Sequence, residues 1–575
     1  MSPAKRHGRG TDLRKAVGAW RLSMGRARAT RAARLSYNAA CAAAHATLGA
    51  GRSAYDGHVR VVRGLLAVLL AASAAPQDEA PPPRPAALRT AAERGDAEAQ
   101  YQLALAFLAR GGRAGEREAM RWLKAAARQR HAGAEARLAR LYTDGFAVRA
   151  DPRAAAELVP EATRLLQDAA AKGEPEAMLG LAEAREAGRG VSRDPDEALR
   201  LLRIAAEKGQ PEAAFRLAGL YRAGTRVPKD EAEGLRWLRA AAEKGLGEAQ
   251  LALGLHLASS PEGPGAEAVR WFRAAAEQGL PAAQFELGQA FAHGAGVPRD
   301  DEAAVKWYRS AAEKGHAAAM FNLGWMLAYG SGTARDEREA VKWYRAAALL
   351  DDRNAQFNLG VMISRGRGVP RDDAEAARWF RAAARRGDAP AQFAIGTLYA
   401  EGRGVEKDAG EAVRWYRAAA EQGHAEAQNN LGSMYEHGRG VGEDSREAAR
   451  WYRRAAEGGD AMGQFNLALL FEDGRGVSAS EGEAARWLQA AAEQGFADAL
   501  VRLAGYQAAG RGGLTRSATA AAESYYRAGL AYLQQDRKDW ARRCVDALRA
   551  LEKEGGLTSP HTELDERLVT ALAGK

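Results

Sequence analysis

One tryptophan register runs through most of this chain and restricts it to a repeat architecture. Nine of the twelve tryptophans share the register, namely Trp122, Trp237, Trp271, Trp307, Trp343, Trp379, Trp415, Trp451 and Trp487. From Trp271 onward the interval is 36 residues each time, and Leu165 and Leu201 occupy the same position upstream. Self-similarity at a period of roughly 20–50 residues is typical of stacked repeat proteins. The 575 residues are therefore interpreted as one repeat array rather than as several unrelated domains.

Each repeat contains two helical patterns. Asp300 is a good N-cap for a second helix, and Gly315 suits the position after its end, where φ turns positive. One apolar stripe of that helix contains Ala304, Trp307, Tyr308, Ala311 and Ala312. The first helix of the next repeat, about residues 317–329, places on one face Ala319, Met320, Leu323, Gly324 and Leu327. The tryptophan is therefore predicted to be a core residue and not a ligand-binding aromatic.

Gly-x-Gly-Val loops separate the two helices of a repeat. They begin at Gly294, Gly366, Gly402, Gly438 and Gly474. The glycines supply positive φ after the first helix, and the loops lack the Lys-Ser/Thr of a phosphate-binding loop, so we predict a structural role. The turn from one repeat to the next has a constant length, whereas the loop within a repeat varies. We therefore expect tight stacking to depend on the turn and insertions to be tolerated in the loop.

The repeat resembles a known family. It reads A-x-A-Q-x-x-L-G-x-x-Y-x-x-G-x-G-V-x-x-D-x-x-x-A-x-x-W-Y-x-x-A-A-E-x-G, and residues 391–423 and 427–457 follow it closely. This is similar to the Sel-1-like repeat (SLR), a relative of the tetratricopeptide repeat. The resemblance implies an all-α fold, a right-handed α-solenoid of about twelve helix-turn-helix repeats over residues 86–530. It also implies a non-catalytic scaffold or adaptor for protein–protein interaction, often in the bacterial envelope.

Motifs for catalysis, metal binding and cofactor binding are missing from the sequence. The two cysteines, Cys41 and Cys544, are too far apart to suggest a disulfide framework or a zinc site. The G-x-S-x-G, H-E-x-x-H and Walker A patterns do not occur. We therefore predict no enzyme activity, no catalytic residue, no metal and no cofactor. Some SLR members carry a cysteine pair in each repeat and have been linked to β-lactam binding or hydrolysis, but this chain lacks those pairs. The alternative is a β-lactam- or cell-wall-directed hydrolase on this scaffold.

The net charge of +10 is concentrated at the amino end of the chain. Residues 1–63 contain thirteen Lys or Arg and two Asp, a net charge of +11, so the remainder carries about −1. A near-neutral repeat region gives no electrostatic reason to bind nucleic acid, and we predict a protein or peptide partner instead.

Residues 59–75 resemble a secretory signal segment. Basic residues precede the apolar run Leu65–Ala72 and an Ala-Ser-Ala sequence, and the run is too short to span a membrane. We expect translation to begin near Val59–Val62 and the mature protein to begin near Ala75. The protein would then be periplasmic or secreted, with no integral membrane span.

The remaining boundaries depend on this interpretation. The alternative is that residues 1–58 form a basic, disordered extension, followed by an ordinary apolar helix in a cytoplasmic protein. Residues 76–85 form a Pro-rich linker, and residues 531–575 are predicted to be a helical cap and tail. Within the cap we expect a helix over residues 535–553, with one side formed by Trp540, Val545 and Leu548.

Helical-wheel geometry predicts a partner-binding face on the first helices. The residues two before, two after and six after each Leu of a Leu-Gly pair point away from the buried face and should line the concave surface. The position two before is a column of phenylalanines, which is either a groove for a peptide or packing between repeats. The candidate partner-binding residues are Phe321, Asn322, Trp325, Tyr329, Phe357, Arg365, Phe393 and Glu401. Basic residues before each tryptophan form either a solvated outer face or a surface for an acidic partner.

Overall fold

A computed structural model describes residues 86–573 apart from 111, 144–151, 260–264, 555–556 and 558–560. The basic extension, the signal-like segment and the Pro-rich linker lie outside the described residues. Within them the secondary structure consists of α-helices and one short 3-10 helix at His561–Glu563. The helices are α1 (Ala86–Glu93), α2 (Ala97–Arg110), α3 (Gly112–Arg128), α4 (Ala132–Thr143), α5 (Pro152–Ala171), α6 (Pro175–Ala187), α7 (Pro195–Glu207), α8 (Pro211–Ala223), α9 (Glu231–Glu243), α10 (Gly247–Ala258), α11 (Ala266–Glu277), α12 (Pro281–His293), α13 (Asp301–Glu313), α14 (Ala317–Tyr329), α15 (Glu337–Leu349), α16 (Arg353–Ser364), α17 (Asp373–Ala384), α18 (Ala389–Glu401), α19 (Ala409–Glu421), α20 (Ala425–Glu436), α21 (Ser445–Glu457), α22 (Ala461–Asp473), α23 (Glu481–Glu493), α24 (Ala497–Ala509), α25 (Ala518–Gln534), α26 (Lys538–Lys553) and α27 (Leu564–Leu572).

The helices belong to two compact bodies whose boundary lies between Arg335 and Asp336. The N-terminal body contains α1–α14 and the C-terminal body contains α15–α27. Within each body every helix packs against the next helix along the chain. The predicted all-α fold of stacked helix pairs is confirmed.

The helix ends follow the predicted capping residues. The Asp300 carboxylate accepts a hydrogen bond from the Ala303 amide at 2.9 Å, and α13 begins at the next residue. Gly315 has a φ of 91°, and α14 begins two residues later, at the predicted Ala317. Local capping chemistry therefore sets the end of α13 and the start of these two helices.

The predicted core stripes are buried, but their centre lies one residue after the tryptophan. Ala304, Tyr308, Ala311 and Ala312 are at most 2% exposed, whereas Trp307 is half-buried. Four tryptophans of the register are buried, namely Trp271, Trp415, Trp451 and Trp487. Five are half-buried, namely Trp122, Trp237, Trp307, Trp343 and Trp379. The tryptophan is thus confirmed as a packing residue, at the edge of the stripe.

In several repeats of both bodies, the glycine that follows the buried Leu or Ile of the first helix receives an aromatic ring from the second helix. A Cβ on Gly288 would lie 2.7 Å from the Tyr308 ring, and one on Gly432 would lie 2.8 Å from the Tyr452 ring. The ring occupies the space that a side chain would need. The predicted close approach at this glycine is therefore a contact between the two helices of one repeat.

The second glycine of each loop contacts the preceding repeat. A Cβ on Gly404 would lie 2.2 Å from the Asp373 carbonyl group, and one on Gly476 would lie 2.0 Å from the Ser445 oxygen. Asp373 and Ser445 are the first residues of the second helices one repeat earlier. The loop thus makes an inter-repeat contact of its own, in addition to the constant turn that the sequence singled out.

Two helices close the carboxy-terminal end. In α26 the buried side contains Ala541, Cys544, Val545, Leu548 and Leu551. Trp540 lies in the first turn of α26 and is 40% exposed, but its ring packs 5.8 Å from the ring of the buried Tyr532 on α25. Around the helix Trp540 lies about 40° from Cys544 and about 20° from Leu551, so it lies on this side, at its solvent-exposed end. Beyond α26, α27 packs against both α25 and α26 and buries Leu568 completely.

Candidate partner-binding surface

The register of α14 positions the strongest candidates. His316 caps the helix start, its Nδ1 accepting from the Ala319 amide at 3.2 Å, and Gly330 ends the helix with a φ of 73°. Between these ends Ala319 and Leu323 are fully buried. Residues two and six after Leu323 therefore lie on the opposite, solvent-facing side of the helix.

Trp325 and Tyr329 occupy this side. Their side chains are 44% and 59% exposed, and their ring centroids lie 5.0 Å apart with an interplanar angle of 40°. Leu255 holds the position equivalent to Trp325 in α10 and is 45% exposed. The structure thus brings two of the predicted residues together as one exposed aromatic surface.

The phenylalanine column is half-buried and packs between helices. The Phe393 ring lies 5.8 Å from the Tyr416 ring on the next helix and stacks on His424 at 4.8 Å. Equivalent ring contacts join Phe357 to Phe380, Phe285 to Tyr308 and Phe465 to Phe496. Phe321 is half-buried as well. These contacts favour packing between helices as the main role of the column.

Asn322 is occupied by a contact to the preceding helix. Its side chain hydrogen-bonds the hydroxyl of Tyr308. Burial raises the pKa of Tyr308 to about 12, and the hydrogen bond from Asn322 partly opposes that rise. The asparagine therefore satisfies a buried hydroxyl, and its contribution to partner binding would be secondary to this bond.

Arg365 and Glu401 are exposed at helix ends in the C-terminal body. Glu401 forms an ion pair with Arg403 at 3.0 Å, and Arg403 also reaches the Asp373 carboxylate at 3.2 Å. Hydrogen bonds and ion pairs from Arg371 and Arg403 hold the pKa of Asp373 below its ordinary value. The ion pairs of Arg403 thus hold the loop in place, in addition to the close contact of the neighbouring Gly404.

The basic residues before the tryptophans are largely engaged on their own helices. The Arg414 guanidinium lies 4.8 Å from the Trp415 ring centroid and pairs with Glu411 at 3.0 Å. The same Glu411 accepts a hydrogen bond from the Trp415 indole at 3.1 Å. Similar arginine–tryptophan contacts occur at Trp122, Trp237, Trp271 and Trp487.

Sequence reasoning missed the role of the arginine two residues after the tryptophan. Arg417 donates to the Tyr435 hydroxyl at 2.6 Å, and Arg381 donates to Tyr399 at 2.9 Å. Each of these arginines therefore links one repeat to the next. The sequence contains a sign of this role, because a spacing of 18 residues also separates the hydrogen-bonded Arg203 and Tyr221.

Catalysis or metal binding would need clustered ligands or a reactive side chain. Among the residues that the structure describes, no three or more His, Cys, Asp or Glu side chains are arranged to hold a metal ion. Burial raises the pKa of Cys544 to about 11, so this thiol stays protonated near neutral pH. No helix in the described ranges combines the length and apolar character needed to cross a membrane.

Stacked helix pairs with capped ends and one exposed face define the class of α-solenoid repeat proteins. The chain belongs to the Sel1 repeat family, whose model matches more than half of it, at residues 97–131, 132–159, 175–210, 211–246, 247–280, 281–316, 317–352, 353–388, 389–424, 425–460 and 461–496. These matches are eleven repeats, and the helix pair α24–α25 follows the last of them.

Two solved structures are similar to parts of this chain. One is a protective antigen present in uropathogenic Escherichia coli strains that displays an SLR fold. It has a TM-score of 0.67 and 29% identity over 79% of this chain and 94% of its own. The other, a Sel1 repeat protein from Oxalobacter formigenes, has a TM-score of 0.39 and 30% identity over 59% of this chain and 89% of its own. No curated protein matches the chain.

Proposed function

We propose that this protein is a non-catalytic scaffold that binds a protein partner at Trp325 and Tyr329. The observation that carries the proposal is the exposure of two large aromatic rings, 44% and 59%, on a helix whose other large apolar residues are mostly buried. Tryptophan and tyrosine are enriched among the residues that dominate protein interfaces, because they bury a large area at little entropic cost. The Sel1 repeat family supports a binding role.

The partner would present an extended segment or one face of an amphipathic helix. Trp325 and Tyr329 lie one helical turn apart, so they provide two adjacent anchors along the helix axis. Such spaced anchors suit a linear element of a partner better than a small molecule. We assign this face to the concave side of the N-terminal body. Arg365 and Glu401, at equivalent helix ends, are proposed as polar contributors to binding within the C-terminal body.

Affinity capture followed by binding measurements tests this proposal. Proteins recovered with the wild-type chain are purified, and their dissociation constants are measured for wild type, Trp325→Ala and Tyr329→Ala. We expect either substitution to weaken binding at least tenfold. The matched control is Trp540→Ala, because Trp540 is exposed to a similar extent but lies on the cap. Equal affinity of all four proteins would refute the assignment.

We also propose export to the bacterial envelope. Support comes from the sequence of residues 59–75, where basic residues, an apolar run and an Ala-Ser-Ala sequence follow one another. Amino-terminal sequencing of the protein from fractionated cells should give a start near Ala75. Recovery of an intact chain that includes residues 1–58 from the cytosol would refute export.

A further inference from the structure

A cavity of about 260 Å³ opens between α6, α7 and α8 in the N-terminal body. Its floor is apolar and includes Leu199, Leu202 and Leu220. Pockets for small molecules usually enclose about 300–1,000 Å³, so this cavity is sized for one side chain rather than for a whole ligand.

The rim of the cavity consists of two ion pairs. Glu183 pairs with Arg216, and Glu186 pairs with Arg226 at 3.1 Å. All four side chains are between 32% and 54% exposed, so these pairs are weak and can exchange for other polar partners. The rim therefore offers both hydrogen-bond acceptors and donors around an apolar floor.

Two departures from the repeat pattern coincide at this cavity. Gly219 occupies the position that holds Leu255 and Trp325 in later repeats, and a Cβ there would meet nothing within 4 Å. Arg226 replaces the second glycine of the loop and has a φ of 65°. Both residues line the cavity. The first departure removes a side chain that would cover the opening.

The second departure explains why the space exists. At the second loop glycine of six other repeats, a Cβ would lie 2.0–2.5 Å from the backbone of the preceding second helix. An arginine at this position requires the loop to stand away from α7. The arginine also keeps the left-handed backbone conformation that favours glycine. Strained residues of this kind persist where the surrounding structure holds them and are concentrated at functional sites.

We infer that this cavity is a second docking site, which takes one leucine- or phenylalanine-sized side chain from an extended segment of a partner protein. A peptide backbone presents N–H donors and C=O acceptors side by side, which matches the paired glutamates and arginines of the rim. The phosphate groups of nucleic acids and anionic lipids present acceptors alone and would be repelled by Glu183 and Glu186. The inference rests on the proposed scaffold function but concerns a site separate from Trp325.

A matched pair of glycine substitutions tests the site in the full chain. Gly219→Leu fills the opening, whereas Gly505→Leu adds the same side chain at the equivalent position of α24, where a Cβ also meets nothing within 4 Å. The probe is a phage-displayed library of random dodecapeptides selected on the wild-type protein. The enriched peptides are then synthesised, and their affinities are measured for both variants and for Trp325→Ala.

We expect a group of peptides with one shared apolar residue that lose at least tenfold in affinity with Gly219→Leu and bind Gly505→Leu and Trp325→Ala like wild type. Replacing that apolar residue by alanine in the peptide should cause the same loss. The inference is overturned if no selected peptide is sensitive to Gly219→Leu, or if Gly505→Leu has the same effect. It is also overturned if concentration-dependent self-association disappears in Gly219→Leu, because a second copy would then be the occupant. Peptides sensitive only to Trp325→Ala would leave the proposed scaffold function standing without this site.

Discussion

The Phe380 ring lies so close to Gly360 that a Cβ on the glycine would be 2.7 Å from two ring atoms. Phe380 is only 4% exposed and cannot move away without displacing its neighbours. Gly360→Ala should therefore destabilise the protein by about 1–3 kcal/mol through overpacking, although alanine favours helices by about 1 kcal/mol. Urea unfolding followed by circular dichroism measures the change.

The control for that substitution is Gly505→Ala. Gly505 is exposed within α24 and a Cβ there meets nothing within 4 Å, so helix propensity alone should stabilise the protein, by up to about 1 kcal/mol. Equal stability of Gly360→Ala and Gly505→Ala would show that the Phe380 ring can pack without a glycine at position 360.

The second loop glycine should be more sensitive still. Gly404 has a φ of 66°, and a Cβ there would overlap the Asp373 carbonyl group. We expect Gly404→Ala to cost about 2–5 kcal/mol, since backbone strain and the displacement of a neighbouring helix add together. Gly423→Ala separates the two effects, because Gly423 has a φ of 90° and no atom near its Cβ position. That variant should lose only about 1–2 kcal/mol in the same unfolding measurement.

Two arginines of α19 should differ in their contribution to stability. Arg417 is half-buried and donates to Tyr435 of the next repeat at 2.6 Å, so Arg417→Ala should cost about 1–2 kcal/mol. The Arg414 side chain is 64% exposed and pairs with Glu411 on its own helix, so Arg414→Ala should cost less than about 1 kcal/mol. Thermal unfolding compares the two, and an equal loss would contradict the inter-repeat role of Arg417.

The cap of α14 should make stability depend on pH. Burial lowers the pKa of His316 below its ordinary 6.5, and the ring accepts a hydrogen bond only while Nδ1 is unprotonated. A lowered folded-state pKa means that the cap is fully stabilising above about pH 6.5 and is lost as the pH falls through the folded-state value. Protonation should therefore cost about 1 kcal/mol, the usual value of an N-cap.

His316→Asn provides the comparison for this effect, since asparagine is a good N-cap that does not titrate. Stability measured from pH 7.5 down to pH 5 should fall more for wild type than for His316→Asn. Parallel curves over that window would assign the pH dependence to other groups.

Much of the fold could be predicted from the sequence because its repeats report the same local physics many times. Asp300 and Gly315 fixed the ends of α13, and the spacing of alanines fixed its buried face. The helical wheel did not show which of Trp307 and Tyr308 is more deeply buried. The two residues are about 100° apart, but each borders the same apolar stripe.

The candidate surface was less predictable, because exposure depends on neighbouring repeats. Trp325 and Tyr329 emerged correctly as exposed residues, since nothing in α14 itself covers them. The packing of Phe393 against His424 could not be read from one helix, because it joins residues of two successive helices. The cavity beside Gly219 was missed because its two causes, a missing side chain and an arginine at positive φ, lie in different elements.

The contact between each second loop glycine and the preceding helix gives the array a direction. Within the C-terminal body, the second loop glycine lets its loop pack against a helix that was translated about thirty residues earlier. These glycines are Gly368, Gly404, Gly440 and Gly476. A growing chain therefore always presents the next repeat with a finished surface to close upon. We expect the repeats to fold in order from the amino end during synthesis. Removal of repeats from the carboxy-terminal end should therefore be tolerated better than removal of internal repeats.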